Sequence, residues 1–498
     1  SVPNWLLSKG GGRGLLVVVA ASSSLFCSIF YCFLSCKAPW PVRMDQILNL
    51  SKQYGRHFKN PALLECLPFG DDFLVYDAST REPICGLAKT DNRDLRIILD
   101  SAYECSQSAF VSDHDGRRAA FKRWADLIAE NKEDLALLIS LEGGKLYKES
   151  LMEMESVILG LRAYYDYMEG FSVKIAANEN ESNSKKFTTK LIPLGTTLAI
   201  TPWNFPAAMV SRKLAPSLAV GCPVIIKPDH RTPLSCICLV DMCRKAGFPQ
   251  NAVQIVLSDT PKETVEHLFR LSDDCVHMGI QRVSFTGSTA VGLHLHALAK
   301  WRPTCMEMGG MAPFIISDSC RDLSKAVDDL IKCRFRHSGQ TCICANVAYV
   351  HMDLYEEFKV LLRTRLQEKF KRPGKALNPS TDNGPLIDDK AVERLAEQLN
   401  TINGTLIYQC KAYPIHGYPV TVIECAPPID DVELFGPVLR IAKYTEKSDI
   451  SQSKYGLAAY VYGGENVDSI VKMLSMRYGL VGVNTIDIVD PNAPFSGN

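Results

Sequence analysis

Neither sign of charge is in excess in this 498-residue sequence. Lys and Arg together number 55, Asp and Glu together also number 55, and the formal net charge at pH 7 is +0. Without a global basic field, the chain lacks the electrostatic signature of a nucleic-acid-binding protein. Tandem repeats and low-complexity linkers are also absent. Apolar residues make up 46% of the chain, which excludes intrinsic disorder as its main state and allows a large core.

Zinc-type cysteine spacing is missing as well, although the chain has 18 cysteines. Cys236 with Cys238, and Cys342 with Cys344, form C-x-C pairs, whereas zinc sites use C-x2–4-C pairs with matching partners. These pairs are also too close in sequence to staple distant loops. We therefore expect no metal site and a reducing compartment, either cytoplasm or mitochondrial matrix, rather than secretion.

The first 43 residues have a character of their own. Residue 1 is Ser, the first Met is Met44, and Leu15 to Cys36 contains no charged residue over 22 positions. That length can span a bilayer, and Arg13 precedes it as a basic residue precedes the apolar part of a signal peptide. Three interpretations stay open: non-native upstream sequence, a targeting segment, or a true anchor. Membrane association is expected only if residues 15–36 are an anchor.

Alternating strand and helix patterns occupy most of the remaining chain. Asp94 to Tyr167 has apolar residues at three- and four-residue spacing, which is typical of amphipathic helices. Gly170 to Leu194 has a polar middle and alternating flanks, which predict a β-hairpin or a protruding arm. Short apolar strands followed by helices predict an α/β fold with parallel sheets. We expect strands at Thr197–Thr201, Pro223–Lys227, Val253–Val256, Arg282–Phe285, Pro313–Ile316, Asn346–His351 and Ala458–Tyr462.

Two segments have features of a nucleotide site. Phe285 to Gly292 follows a predicted strand and precedes a predicted helix, and glycines before a helix N-terminus suit an anion. It matches neither a Walker loop nor G-x-G-x-x-G, so an ordinary strand–turn–helix link stays open. Lys227 ends a buried strand, at the edge where open α/β sheets bind ligands. A solvated lysine is the alternative there.

Three further segments carry reactive groups. Cys342 follows Ser-Gly-Gln-Thr in a predicted turn, where a thiol can be exposed and activated. Glu307 lies among apolar residues before a Gly pair, and burial there would suit it to general base work. Asn204 lies between two prolines, and a fixed amide can stabilise an oxyanion. An inert buried cysteine, a salt-bridged glutamate and a rigid turn are the alternatives.

Taken together and in this order, these segments resemble the aldehyde dehydrogenase family from about Leu64 to Phe495. The motifs that carry the resemblance are Pro202–Pro206, Lys227–Pro233, Phe285–Gly292, Glu307–Gly310, Gly339–Cys342, Glu433–Pro437 and Pro494–Phe495. The resemblance implies a Rossmann-type cofactor domain at 44–169 and 195–306, a small β oligomerisation arm at 170–194 and an α/β catalytic domain at 307–484. Residues 1–43 stay uncertain, and 485–498 would be a truncated C-terminal segment. The family also implies a homo-oligomer, which a short C-terminus would weaken.

The same resemblance implies a role for each motif residue. Cys342 would attack a small-molecule aldehyde, Asn204 would hold the oxyanion, and Glu307 would activate water. NAD or NADP would take the hydride. The residues expected to contact this cofactor are Trp203, Lys227, Pro228, Asp229, His230, Gly287, Ser288, Thr289, Gly292, Glu433 and Phe435.

Within the family, the chain is most similar to succinate-semialdehyde dehydrogenases. Gly339 to Asn346, Gly384 to Asp388 and Gly456 to Tyr460 carry this likeness. Arg212 and Arg336 would then bind the distal carboxylate, because a guanidinium matches a carboxylate with a planar fork. Oxidation of succinate semialdehyde to succinate in 4-aminobutyrate degradation is the expected activity. Cys344 would be a redox partner of Cys342 or simply a buried small residue.

Several positions depart from that subgroup. His230 and Arg231 stand where a Glu would repel a 2′-phosphate, so NADP is as acceptable as NAD. Val489 and Asp490 stand where a substrate-binding Ser is expected, and Asp490 would repel a carboxylate. Another aldehyde, an inactive truncated homologue and a cofactor-free thiol hydrolase are therefore kept as rivals.

Overall fold

The computed structural model describes residues 58–170, 191–274, 279–411, 414–450, 453–464 and 467–491, together with 493 and 495. The apolar run Leu15 to Cys36, most of the predicted arm at 170–194, and Pro494 lie outside these residues. Within the described ranges, no helix is long and apolar enough to cross a membrane.

The described chain begins with a short helical turn at Pro61–Cys66 and an antiparallel hairpin of β1 (Phe69–Tyr76) and β2 (Pro83–Leu87). A group of four helices follows. The helices are α1 (Asp94–Ser106), α2 (His114–Glu130), α3 (Lys132–Gly143) and α4 (Tyr147–Gly170). The apolar faces of α2, α3 and α4 pack into one core around Trp124, which is fully buried and whose indole N–H donates to the Leu239 carbonyl at 3.0 Å. The apolar face of α1, with Leu95, Leu99 and Ala102, packs instead into the core of the five-stranded sheet described next. The helical periodicity predicted for this stretch is confirmed.

A five-stranded parallel sheet follows, in the order β5-β4-β3-β6-β7. Its strands are β3 (Thr197–Ile200), β4 (Val224–Lys227), β5 (Val253–Ile255), β6 (Arg282–Thr286) and β7 (Thr304–Glu307). The crossover helices are α5 (Ala208–Ala219), α6 (Leu234–Lys245), α7 (Pro261–Asp273) and α8 (Thr289–Ala299). Helices cover both faces because the central strands are buried on both sides.

A seven-stranded sheet, in the order β10-β11-β12-β9-β8-β13-β14, forms the second layer. Its strands are β8 (Ala312–Ile316), β9 (Ala345–His351), β10 (Thr405–Gln409), β11 (Thr421–Glu424), β12 (Val438–Tyr444), β13 (Ala458–Tyr462) and β14 (Leu480–Val483). The accompanying helices are α9 (Leu323–Phe335), α10 (Tyr355–Lys369), α11 (Asp389–Asn400) and α12 (Asp468–Ser475). Only the edge pair β10–β11 is antiparallel among these described strands, so the sheet is mixed.

The predicted strands are confirmed, each to within one residue at either end. The pattern did not reveal β1, β2, β7, β10, β11, β12 or β14. β7 is only half-buried and reads Thr-Cys-Met-Glu, so it lacks the apolar run of β4, and the edge strand β10 is largely exposed. Short strands of mixed composition owe their place to their neighbours in the sheet, which a local pattern does not contain.

Candidate active site

The carboxyl ends of the parallel strands bring four predicted segments to one edge. Ile200 pairs with Lys227 and with Phe285, and Thr286 pairs with Glu307. The loops that leave these strands therefore emerge side by side, as in other open α/β sheets that bind ligands at this edge. They carry the candidate amide, lysine, glycines and glutamate.

The candidate nucleophile lies on a strained turn that joins the end of α9 to β9. His337 and Ser338 both have left-handed φ angles, 51° and 52°, which non-glycine residues rarely adopt. The His337 N–H donates to the Glu149 carboxylate at 3.0 Å, and the Ser338 hydroxyl donates to the Gly384 carbonyl at 3.0 Å. The turn is thus held from two sides and presents Cys342 half-buried at its end.

Three predicted groups meet around this turn. The Asn204 side-chain N–H donates to the Gln340 carbonyl at 3.0 Å, two residues before Cys342. The Gly310 backbone lies so close to Cys342 that any Cβ at Gly310 would clash with the Cys342 carbonyl oxygen. The Glu307 carboxylate lies near enough to the Cys342 thiol to raise its pKa. The structure therefore brings positions 342, 204 and 307 to one turn, and the catalytic roles predicted for them stay predictions.

Carboxylates and burial dominate the electrostatics of this thiol. Burial raises the pKa of Cys342 to about 12, the Glu433 and Glu307 carboxylates add to the rise, and the Arg212 guanidinium opposes it. Burial also raises the pKa of Glu307, against the nearby Lys213 and Arg212 cations. The thiol is protonated in this state, so attack requires a proton acceptor.

Sequence reasoning missed Lys213, which lies in this site. Its buried ammonium donates to the Ser284 hydroxyl at 3.1 Å, and burial lowers the pKa of Lys213 to about 8. The Glu307 carboxylate is one of the groups that partly offset this fall. The sequence holds no local signal for this burial, because unpaired lysines are seldom buried and the groups around Lys213 come from other elements.

The buried pair of Lys145 and Glu153 was also missed. The two side chains form an ion pair, and the Lys145 ammonium lies 3.6 Å from the centre of the Phe205 ring. One Glu153 oxygen accepts hydrogen bonds from the N–H groups of Ala207 and Ala208, both at 3.0 Å. This pair ties α4 to the loop that carries Asn204.

The Lys227 segment is closed by internal ion pairs. Lys227 is buried and donates to the Pro228 carbonyl at 3.1 Å. Burial alone would raise the pKa of Asp229, but the Arg231 guanidinium at 2.8 Å outweighs it and lowers that pKa to about 2. Arg231 also binds Asp388 at 2.8 Å. Its charge is therefore already engaged. The half-buried His230 lies 3.6 Å from Asp229, and burial lowers the pKa of His230, so the preference between NAD and NADP stays a prediction.

The start of α8 forms the opposite wall of the cleft. Gly287 follows β6, and Ser288 occupies the N-cap position without a side-chain capping bond. The Thr289 hydroxyl accepts from the Gly309 N–H at 3.3 Å. Gly292, predicted to contact the cofactor, is buried beneath Met308, and a Cβ there would lie 2.6 Å from the Met308 sulfur. The structure thus gives Gly292 a role in close packing, and its contact with the cofactor stays a prediction.

Glu433 connects the two sheets at the mouth of the cleft. Its carboxylate accepts from the Gly310 N–H at 2.9 Å, and burial raises the pKa of Glu433 to about 7. Phe435 lies edge-to-face against Trp203, with the ring centres 5.6 Å apart. The two aromatic residues predicted for the cofactor side are therefore in contact.

Cys344 is fully enclosed next to the nucleophile. Its sulfur lies 2.9 Å from the Arg334 guanidinium, which also donates to the Leu434 carbonyl at 2.8 Å. Burial raises the pKa of Cys344, and Arg334 opposes the rise. The structure thus gives Cys344 a packing role between the Cys342 turn and the Glu433 loop, and its redox role stays a prediction.

A cavity of about 260 Å³ extends from Glu307 between α4 and α5 to residues 489–495. Arg212 lines it, with its guanidinium 4.7 Å from the centre of the Phe495 ring. Arg336 lies near enough to lower the pKa of Arg212, although burial is the larger cause. Asp490 also lines the cavity, as its sequence position suggested.

The comparisons with known proteins decide the family. Residues 69–498 match the Aldehyde dehydrogenase family. The chain belongs to this family.

The relatives of this family member include several that oxidise acidic aldehydes, according to their names. Succinate-semialdehyde dehydrogenase [NADP(+)] 1 of Schizosaccharomyces pombe is 32% identical over 446 residues, covering 86% of this chain and 87% of the relative. Glutarate-semialdehyde dehydrogenase of Pseudomonas putida is 30% identical over 442 residues, covering 86% and 89%. The crystal structure of succinate-semialdehyde dehydrogenase from Burkholderia pseudomallei matches with a TM-score of 0.77 at 30% identity, covering 86% and 89%.

The cofactor of the family is NAD or NADP, and the residues at the cleft fit such a group. The first N–H groups of α8 have no partners within the helix and point to where a pyrophosphate would lie. Lys227 supplies a buried cation at the same sheet edge, and Glu433 supplies a carboxylate for hydroxyl groups. When bound, the cofactor supplies the hydride acceptor.

Proposed function

We propose that this aldehyde dehydrogenase oxidises an acidic aldehyde, with succinate semialdehyde as the first candidate and succinate as the product. The observation that supports this proposal most is the Arg212 guanidinium in the wall of the cavity that leads to Glu307. Succinate-semialdehyde relatives at about 30% identity agree with it, but relatives with other acidic substrates are equally similar.

Cys342 is the proposed nucleophile, and Asn204 the proposed oxyanion donor. The thiolate would attack the carbonyl carbon and form a thiohemiacetal, whose oxygen takes the negative charge. The Asn204 amide has two N–H bonds, so its bond to Gln340 leaves a second donor for that oxygen. The backbone N–H of Cys342 is the other proposed donor. Donors fixed before the reaction need no reorganisation as charge develops.

Glu307 is the proposed base of the site. Burial raises its pKa and the Lys213 and Arg212 cations oppose the rise, which suits the carboxylate to general base work. It would take the Cys342 proton before attack and then release it to solvent. After hydride loss has left a thioester on Cys342, the deprotonated Glu307 would take a proton from the attacking water, whose oxygen bonds to the carbonyl carbon as the bond to the Cys342 sulfur breaks. Lys213, which faces Glu307, would tune this exchange.

The distal carboxylate of the substrate is assigned to Arg212, with Arg336 close behind it. The Arg212 guanidinium is half-buried and has an aromatic ring beneath it, so it is weakly hydrated and suited to a planar anion. Asp490 in the same wall opposes an anion, which makes the substrate assignment the part of the proposal most exposed to test.

A parallel assay tests the whole proposal. Purified enzyme is given succinate semialdehyde with NAD or NADP, and formation of NADH or NADPH is followed by absorbance. We expect turnover with at least one cofactor, and Cys342→Ser should lower kcat by at least about 10³-fold because the nucleophile is lost. Cys344→Ser is the matched control and should retain most activity. Folded protein that forms no reduced cofactor with any aldehyde would support the inactive homologue instead.

Two broader assignments remain proposals. A second copy of the chain would cover the apolar surface of α8, where Val291 and Leu293 are exposed. A role in 4-aminobutyrate degradation, in the mitochondrial matrix or the cytoplasm, follows only if succinate semialdehyde is the substrate. Light scattering on the purified protein tests the first, and localisation in cells tests the second.

A further inference from the structure

Gly160 is a glycine without a conformational reason, in the middle of the 24-residue helix α4. Glycine in a helix interior is less favourable than alanine because it loses more backbone freedom on folding. Gly160 does not adopt the left-handed conformation that would require glycine. Something other than local backbone geometry must therefore account for it.

Packing does not require this glycine either. A Cβ added at Gly292 or Gly310 would clash with Met308 or Cys342, so those two positions have no room for a side chain. A Cβ added at Gly160 meets no atom of the residues that the structure describes within 4 Å. The residue therefore borders open space, whereas the other two glycines allow close contact.

The open space beside Gly160 belongs to the cavity that holds Arg212. Ser156 and Tyr164 lie one helical turn before and after Gly160 on the same face of α4, and all three line the cavity. The facing side of α5 also presents small side chains, Ala208, Ser211 and Ala215, around Arg212. The cavity is thus wide where it leaves Glu307 and passes the guanidinium.

The volume can be compared with that of a small ligand. The cavity measures about 260 Å³, whereas an apolar cavity of about 150 Å³ is enough for benzene. Succinate semialdehyde has only one more non-hydrogen atom than benzene. Room therefore remains beyond the substrate proposed above, and Gly160 borders it.

We propose that Gly160 is a specificity-determining residue, which admits acidic aldehydes whose spacer between carbonyl and carboxylate is longer or bulkier than two methylene groups. The inference rests on the proposed function, because it takes the Arg212 cavity as the substrate site. A side chain at position 160 would occupy the space that the longer spacer needs, whereas the shorter substrate would not need that space.

Substitution at Gly160 tests this directly. We compare kcat/KM of the wild type, Gly160→Ala and Gly160→Leu on the four-, five- and six-carbon semialdehydes of the unbranched dicarboxylic acids. The ratio of six- to four-carbon kcat/KM should fall at least about tenfold in Gly160→Leu, and by less in Gly160→Ala, because one methylene group in a pocket is worth about tenfold or more. Leu159→Phe, an exposed neighbour outside the cavity wall, is the control and should leave the ratio unchanged.

The outcomes separate this inference from the proposed function. Equal losses on all three substrates, or an unchanged ratio in a variant that melts as a folded protein, would overturn the role of Gly160 and leave the reaction itself intact. If the wild type oxidises none of the semialdehydes but does oxidise uncharged aldehydes, the substrate class fails first. Gly160→Ala should melt no lower than the wild type, so a folded variant is available for every comparison.

Discussion

The two sides of the active site are built on opposite plans. On the cofactor side, Arg231 forms ion pairs with Asp229 and Asp388, Lys227 donates to the Pro228 carbonyl, and Glu433 accepts from the Gly310 N–H. On the substrate side, α4 and α5 leave a cavity of about 260 Å³ that Arg212 lines. The difference indicates that ion pairs and hydrogen bonds hold the cofactor side in place, whereas the substrate side keeps open space.

The largest expected effect comes from breaking the buried ion pair that ties α4, on the substrate side, to the loop that carries Asn204. Glu153→Ala should lower the free energy of unfolding by about 3–5 kcal/mol, because it leaves the Lys145 ammonium buried and unpaired. Glu155→Ala is the matched control on the same helix: its pair with Lys132 is exposed, and its loss should cost at most about 1 kcal/mol. Urea denaturation measures both, and equal losses would contradict the comparison.

A smaller effect concerns Glu433, on the cofactor side, and the pH dependence of the free energy of unfolding. The pKa of Glu433 is about 7 in the folded state and near 4.5 when unfolded, so folding favours the protonated form. Its contribution is complete below about pH 4.5 and is lost as pH rises through about 7. Allowing for partial exposure, Glu433→Gln should remove about 2 kcal/mol of this pH dependence. Urea denaturation at pH 5 and at pH 8 measures the difference in free energy of unfolding between the two pH values. If this difference is the same in Glu433→Gln as in the wild type, burial does not raise the pKa of Glu433 as described.

The smallest expected effect concerns Arg212, on the substrate side, and kcat/KM for an acidic aldehyde. Arg212→Gln should lower kcat/KM for succinate semialdehyde at least about tenfold, since a charged hydrogen bond is worth at least about 1.5 kcal/mol. Butanal, which has no carboxylate, should change less than about threefold. Arg162→Gln, an exposed arginine on α4, serves as the control. Equal losses on both aldehydes would show that Arg212 supports the fold rather than the carboxylate.

The sequence predicted site residues at strand ends and turns better than site residues on helix faces. Asn204, Glu307, Lys227 and Cys342 follow strand ends or turns, and strand ends of a parallel sheet converge whatever the surrounding side chains are. Lys213 and Gly160 lie on helix faces instead. Their neighbours come from other helices, so no local pattern shows that one is buried beside a carboxylate and the other borders a cavity. The packing of Gly292 beneath Met308 was missed for the same reason, because Met308 lies just after β7, away from α8 in the sequence.

The contact between Gly310 and the Cys342 carbonyl is made by main-chain atoms alone. The separation between the Cys342 sulfur and the Glu307 carboxylate therefore depends on how closely these two main chains approach. Substituting neighbouring side chains can change the charge, acidity and accessibility of the site without changing that approach. Replacing Gly310 by alanine would force the two main chains apart, and activity would be lost because the reacting groups are too far apart, although all of them are present.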